Sequence, residues 1–302
     1  MSKSTTSIIG IILTIALGVF AYMNLCSSCG LQAVTEEPVE EAVVPAPPDP
    51  TSYPFAFSDG DYSCDVNDNY NFNVSSSTII KPLAQTVTNC VDGLKTFLAD
   101  NTGKVINITG YYTSDEVNDS AYPNLGLARA NAVKNHLVDS GISSTRINTF
   151  GKLMDEMVPD GNVLLGPVTY GITGESADTA DELKVLYEKI KFDPLVLYFD
   201  TAEASINLSA EQRQKVADIS RYLDKVEGAT ASIVGHTDNT GNAADNMKLG
   251  QNRADFAKNY LMGNGIAEVK INATSKGQTQ PIESNATEEG RAKNRRTVVT
   301  LN

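Results

Sequence analysis

The chain has 302 residues and a formal net charge of −13, enough for two ordinary domains with segments to spare. Such acidity argues against nucleic acid and anionic membrane surfaces as partners.

Ser7 to Leu25 carries no charge and consists mostly of Ile, Leu, Ala, Val and Phe, about the length that spans a bilayer. Lys3 precedes it and Glu36 and Glu37 are the first charges after it, so the positive-inside rule keeps the N-terminus in the cytoplasm and exports the rest. The expectation is an uncleaved membrane anchor over residues 1–30, with its transmembrane helix at about 7–25. That makes an inner-membrane, single-pass protein with periplasmic C-terminal domains. A cleaved signal peptide fits less well, because the run is longer than a usual signal core and no small-x-small site follows. The main alternative is an outer-membrane lipoprotein facing the periplasm, with Cys26 or Cys29 lipidated. Cys26 follows bulky Leu25 where a lipobox needs a small residue, and Cys29 follows Ser28 but sits late. Cys26-x-x-Cys29 lacks the βαβ setting of a redox motif.

Residues 31–54 are rich in Pro, Glu, Val and Ala and read as an extended tether reaching roughly 70 Å at about 3.1 Å per residue. In the next segment, residues 55–174, Val105 to Gly110 forms a strand pattern and Leu125 to Ala130 opens a helical one. Cys64 and Cys90 lie within it and could form one disulfide in an oxidising compartment. Asp65-x-Asn67-x-Asn69 is a faint calcium-loop pattern, with Tyr70 in place of the needed Gly and Ser76 in place of the Glu. Residues 175–194 form an inter-domain linker helix, periodic through Leu183, Leu186, Tyr187 and Ile190.

Residues 195–302 open with a strand, Leu195 to Phe199, and a capping box, Ser209-Ala210-Glu211-Gln212, that starts a helix burying Val216, Ile219 and Leu223. Ala231 to Val234 alternates and delivers Gly235-His236-Thr237-Asp238 to a strand end. Leu249, Arg253, Phe256, Ala257, Tyr260 and Leu261 recur at helical spacing until Gly263 and Gly265 stop the helix, with Arg253 in its N-terminal half. A strand end facing the first turns of the following helix gathers polar groups. Asp238 and Arg253, expected at a solvent-accessible crevice there, could hold both ends of an amino acid.

G-H-T-D at 235–238, N-x-x-L-G-x-x-R-A at 246–254, Gly265-Ile266 and the run Gly290-Arg291-Ala292-Lys293-Asn294-Arg295-Arg296 before a final strand resemble the OmpA-like peptidoglycan-binding domain shared with Pal and MotB proteins. The resemblance covers 195–302 and departs from the pattern at Gly250, where Ser is commoner, and at Thr297. It implies noncovalent binding of peptidoglycan through the diaminopimelate of the stem peptide. Asp238 would pair the ligand ammonium and Arg253 its carboxylate, which suits the planar guanidinium fork. Thr237, Asn246 and Arg296 would complete the polar wall, supported by Leu249, Arg291 and Asn294. The plainer reading has Asp238 capping a turn and Arg253 in a surface pair worth under about 1 kcal/mol. Arg291, Lys293, Arg295 and Arg296 either touch the ligand or form a solvated face near anionic wall groups.

The segment 55–174 parallels this domain: Leu125, Arg129, Gly141 and Ile147 are matched by Leu249, Arg253, Gly265 and Ile271, each 124 residues later. It reads as a divergent second copy in which Arg129 survives, Asp115 is a candidate acid, Tyr122 replaces Asn246 and no G-R-x-x-N-R-R follows. A spacer or protein-binding module is expected there. The fold class is therefore α+β (an α/β sandwich): two tandem OmpA-like domains, each a mixed sheet with helices on one face.

No nucleophile–base set, metal set or phosphate loop is present, so neither an enzyme nor a cofactor is expected. His236-x-Asp238 lacks further ligands, since His136 falls in the other copy. A MotB-type motor stator needs a carboxylate within its membrane segment, and Ile8 to Leu25 has none. The expected role is a non-enzymatic cell-envelope protein that ties a membrane or membrane complex to the cell wall; the alternative is a periplasmic protein–protein interaction scaffold.

Overall fold

The computed structural model describes residues 3–25, 48–174, 180–263 and 265–302, with side chains of the first helix given from Ile12 to Asn24. The chain divides into two units, residues 1–47 and 48–302. In the first, the uncharged run forms helix α1 (Lys3–Leu25), whose described apolar side chains, among them Ile12, Leu17 and Phe20, are exposed. Among the described residues no helix is long and apolar enough to cross a membrane. Cys26, Cys29 and tether residues 31–47 lie outside the described residues. The expected tether ends short of residue 54, because Thr51 N–H donates to the Val158 carbonyl (2.8 Å) and Tyr53 N–H to that of Leu165 (3.2 Å).

The first copy comprises β1 (Phe55–Asp59), β2 (Tyr62–Val66), β3 (Phe72–Asn73), α2 (Gln85–Asp100), β4 (Lys104–Tyr112), α3 (Leu125–Asp139), β5 (Ile147–Leu153), β6 (Val163–Leu164) and β7 (Val168–Gly174). Helix α4 (Ala180–Phe192) follows, and then β8 (Leu195–Tyr198), α5 (Ala210–Lys225), β9 (Ala231–His236), α6 (Ala243–Gly263), β10 (Ile271–Gly277), α7 (Glu288–Asn294) and β11 (Arg296–Leu301) form the second. The sheet order β5-β4-β7 repeats as β10-β9-β11, with β8 added beside β11. In each copy the helix-linked pair is parallel and the last strand antiparallel.

Local chemistry accounts for the element ends. Ser209 Oγ accepts from Gln212 N–H (3.2 Å) while the Gln212 side chain accepts from Ser209 N–H (2.9 Å), so two of the orphan donors at the start of α5 are satisfied. Along β9, Ala231 and Ile233 are buried while Ser232 and Val234 are half-buried, the period of two that sends alternate side chains to the helix-covered face. Cys64 on β2 and Cys90 on α2 are disulfide-bonded, Cα to Cα 5.9 Å. Asn69, of the faint calcium pattern, is buried, its amide donating to Tyr53 O (3.1 Å) and Val168 O (2.9 Å); this work is structural.

The copies are docked on each other. Ala121 of the first belongs to the core of the second, Lys134 pairs with Asp224, Arg213 Nη1 donates to Asn118 O (2.6 Å), and Lys225 Nζ donates to Ile147 O (2.8 Å). Helix α4 is likewise part of the second core, through Ile190. Residues 119–124, equivalent to the first turns of α6, are not helical. They carry Ala121 and Tyr122 to α5, where the Tyr122 hydroxyl meets Ser220 Oγ at 3.5 Å.

Candidate functional site: two arginines in matching carbonyl cradles

Two glycines let a strand end and a helix meet in the second copy. A Cβ on Gly235 of β9 would lie 1.8 Å from the carbonyl oxygen of Gly250 on α6, a separation no side chain tolerates, so only glycine permits the approach. Gly110 and Gly126 make the same contact in the first copy, at 2.0 Å. One turn beyond Gly250, Arg253 is driven against the end of β9. It sits at the midpoint of α6, not in the N-terminal half, on the buried stripe of Gly250, Ala254, Ala257 and Leu261.

Arg253 is 0% exposed, which corrects the expectation of a solvent-accessible group. Its Nε donates to Glu203 O (2.8 Å), Nη1 to His236 O (3.0 Å) and Nη2 to Asp200 O (3.1 Å), and the guanidinium lies over the Phe199 ring at 5.1 Å. Burial pulls its pKa down to about 10, against the opposing charge of nearby Asp238; the group stays charged at neutral pH. Of five N–H donors, three serve carbonyls, leaving one on each Nη. Among the described residues no carboxylate pairs with it.

Arg129, also 0% exposed, sits in the same cradle. Its Nε donates to Ser76 O (3.0 Å), Nη1 to Tyr111 O (2.8 Å) and Nη2 to Asn73 O (3.5 Å). Ser75 and Ala202, each between the two loop carbonyls of its copy, have positive φ of 58° and 63°. An unusual left-handed residue turns both carbonyls inward in each copy. Here the remaining Nη donors meet an acid: Glu116 accepts from Nη1 (3.0 Å) and Nη2, and also from the backbone N–H of Ser75 (2.9 Å) and Thr113 (3.0 Å). Burial alone would raise the Glu116 pKa, but the hydrogen bonds from Arg129, Thr113 and Ser75 hold it below the usual carboxylate range. The partner of Arg129 is thus Glu116, not the candidate acid Asp115.

Asp238, in the loop after β9, is 5% exposed, which corrects the expected accessibility of the acid as well. It accepts from Thr240 N–H (2.9 Å) and from Arg295 Nη1 (3.0 Å). Against the raising effect of burial, these bonds lower its pKa. Arg295 donates its other Nη to Glu288 (2.9 Å). Sequence reasoning placed Arg295 only within a basic cluster and missed both Glu288 and Glu116. Thr237 is buried with its hydroxyl on the Asp238 carbonyl (2.8 Å), and Asn246 is buried against Thr240 O (3.1 Å) and Gln278. Leu249 is half-buried.

The basic run splits: Lys293 is exposed and Arg291 half-buried, while the last two arginines turn inward. Arg295 and Arg296 are 7% and 6% exposed, because helix α7 turns the chain into β11 and draws both inward. Arg291 and Lys293 are paired with Glu288 (2.8 Å) and Glu283 (3.2 Å). Asn294 serves the preceding loop, accepting from Ile282 N–H (2.8 Å) and donating to Glu283 O (2.8 Å). Arg296 Nη2 donates to Gln280 O (3.3 Å), while its Nη1 and the neighbouring His236 Nδ1 find no partner among the described residues. Burial, then the charges of Arg296 and Lys276, depress the His236 pKa to about 4. His136 is in the other copy, with Nδ1 at 2.9 Å from the Tyr70 hydroxyl. Among the described residues no cluster of three or more His, Cys, Asp or Glu is placed to hold a metal.

The chain is 38% identical over 104 residues to outer membrane protein A of Bordetella avium, covering 34% of this chain and 53% of that one. It is 41% identical over 87 residues to the peptidoglycan-binding protein ArfA of Mycobacterium tuberculosis, covering 28% and 27%. The chain thus spans about half or less of the length of these relatives. Among solved structures it is similar to the peptidoglycan-associated lipoprotein of Burkholderia pseudomallei, at 26% identity, 35% coverage of this chain, 89% of that one and a TM-score of 0.33. The OmpA family model matches residues 71–159 and 198–295, which bracket both arginine cradles and make up more than half of the sequence: the chain belongs to the OmpA family.

Proposed function

We propose that this is a non-enzymatic cell-envelope protein whose second copy binds peptidoglycan noncovalently through the diaminopimelate of the stem peptide. The observation that carries this reading is the pair of Nη donors that Arg253 directs to no protein acceptor among the described residues, with Asp238 close enough to act on its charge. An amino acid brings the complementary pair. Its carboxylate would take both Nη donors in a bidentate bond, and its ammonium would meet an Asp238 oxygen, whose lone pairs outnumber the bonds from Thr240 and Arg295. The first copy supports the assignment, since a carboxylate takes the same two donors there. Thr237, Asn246 and Arg296 shape the wall, and Asn294 and Arg291 hold the α7 loop. Because Arg253 is covered, entry of the ligand requires local opening around it.

In this reading the uncharged run Ser7–Leu25, on the strength of its sequence, serves as a single-pass anchor in the inner membrane and the Pro-rich segment after it as a tether, so that the protein ties a membrane, or a complex built on residues 55–174, to the wall. Mass spectrometry of the protein from its native membrane should find the N-terminus retained; a chain beginning at a lipid-bearing Cys26 or Cys29 places it in the outer membrane instead. The ligand assignment is tested by cosedimentation of the full chain with purified sacculi. Free meso-diaminopimelate should compete and sacculi containing lysine in its place should bind more weakly. Equal binding to both wall types, without competition, removes the diaminopimelate assignment.

A further inference from the structure

We propose that the first copy retains a working carboxylate-recognition site and that Glu116 keeps it closed by occupying it as an internal ligand. Four N–H donors converge on this one side chain: an Nη1 and an Nη2 hydrogen of Arg129 and the backbone N–H groups of Ser75 and Thr113. The Glu116 side chain is 2% exposed. A merely structural ion pair needs no more than its two partners. Here the receiving half is a whole assembly: three carbonyls aiming the guanidinium, a left-handed loop residue presenting its N–H, and a Gly110–Gly126 contact bringing strand and helix together. The three carbonyls, a left-handed residue between two of them and the glycine contact recur around Arg253, where no acidic side chain among the described residues fills the same two donors. Glu116 itself belongs to the loop 113–124, which has no counterpart of the same length between β9 and α6.

Two consequences follow for the intact chain. The first copy is closed to external carboxylates while Glu116 is in place, and it accepts a small planar carboxylate when that side chain is removed. This stands apart from the wall-binding reading, because its readout is stability and its ligand is supplied as a simple anion.

The experiment is a chemical rescue on the full chain, followed by far-UV circular dichroism. Glu116→Gly should melt several degrees below wild type. Sodium acetate, titrated at constant ionic strength against chloride, should raise its Tm with the logarithmic dependence of one-site binding, by about 3–5 °C at ten times the apparent Kd. The rise should be absent from wild type and from the double variant Glu116→Gly, Arg129→Met. Glu116→Gln, which keeps the volume filled, should fold and show no acetate effect. If Glu116→Gly is unfolded at rest, the same titration reads recovery of the folded signal. An acetate response no larger than that of wild type, or one equal in the double variant, overturns the proposal.

Discussion

Replacing Arg253 with Met keeps the length of the side chain and removes its fork. The buried carbonyl of His236 and the part-buried carbonyls of Glu203 and Asp200 then lose their donor; the buried one, left unsatisfied, costs about 1–3 kcal/mol. Water can reach the other two on their exposed loop, so with the lost contact to the Phe199 ring the expected destabilisation is about 2–4 kcal/mol. Arg129→Met should cost about 1–3 kcal/mol more, because it also strands the buried Glu116 carboxylate without a cation. That excess should shrink as the pH falls, since protonating Glu116 in the variant removes the unpaired charge. Urea unfolding of the full chain, followed by circular dichroism at pH 7.5 and pH 5, measures both differences. A loss below about 1 kcal/mol for Arg253→Met would mean that the cradle is not structural. An Arg129→Met variant no less stable than Arg253→Met would remove the argument from Glu116.

His236 should make stability depend on pH. Its pKa of about 4 in the folded chain lies below the ordinary 6.5, so the unfolded chain takes up the proton first: the stabilisation is complete above pH 6.5 and is lost, by about 3 kcal/mol, as the pH falls toward 4. His236→Gln should flatten that part of the profile, and parallel profiles would contradict the sign. Replacing Cys64 and Cys90 together by Ser opens a 26-residue separation and should cost about 3 kcal/mol, measured against wild type under non-reducing conditions; an unchanged midpoint would show that the link adds nothing. Gly235→Ala drives a Cβ into the Gly250 carbonyl and should cost about 1–3 kcal/mol; a thermal melt at the wild-type value would mean that strand and helix separate freely there.

Much of the scaffold is legible in the sequence because it follows local rules. The capping box at Ser209, the alternation in Ala231–Val234 and the stripe through Ala257 and Leu261 depend on neighbours a few residues away. The constant offset between Arg129 and Arg253 also revealed the repeat. The chemistry around the arginines was less legible because their cradles are backbone carbonyls, which carry no residue identity, and because loop length decides whether Glu116 or Asp115 faces Arg129. A signal for burial was present: Gly250, Arg253, Ala254 and Ala257 share one helical face, and an arginine amid such small residues is enclosed, not solvated. The inward turn of Arg295 and Arg296 depended on helix α7, too short for periodicity to reveal.

The central claim is that Arg253 and Asp238 together grip a wall-derived amino acid, and cosedimentation of full-chain variants with purified diaminopimelate-type sacculi tests it most directly. Arg253→Lys keeps the charge but loses the bidentate fork, and Asp238→Asn keeps the shape but loses the charge. With folded fractions matched by circular dichroism, each should weaken binding by about ten-fold or more, the equivalent of one charge-assisted contact of about 1.5–3 kcal/mol. Arg129→Lys, in the copy closed by Glu116, should bind as wild type does. Wild-type affinity in the Asp238→Asn, Arg253→Lys double variant would contradict the account and leave the interaction scaffold as the reading of both copies.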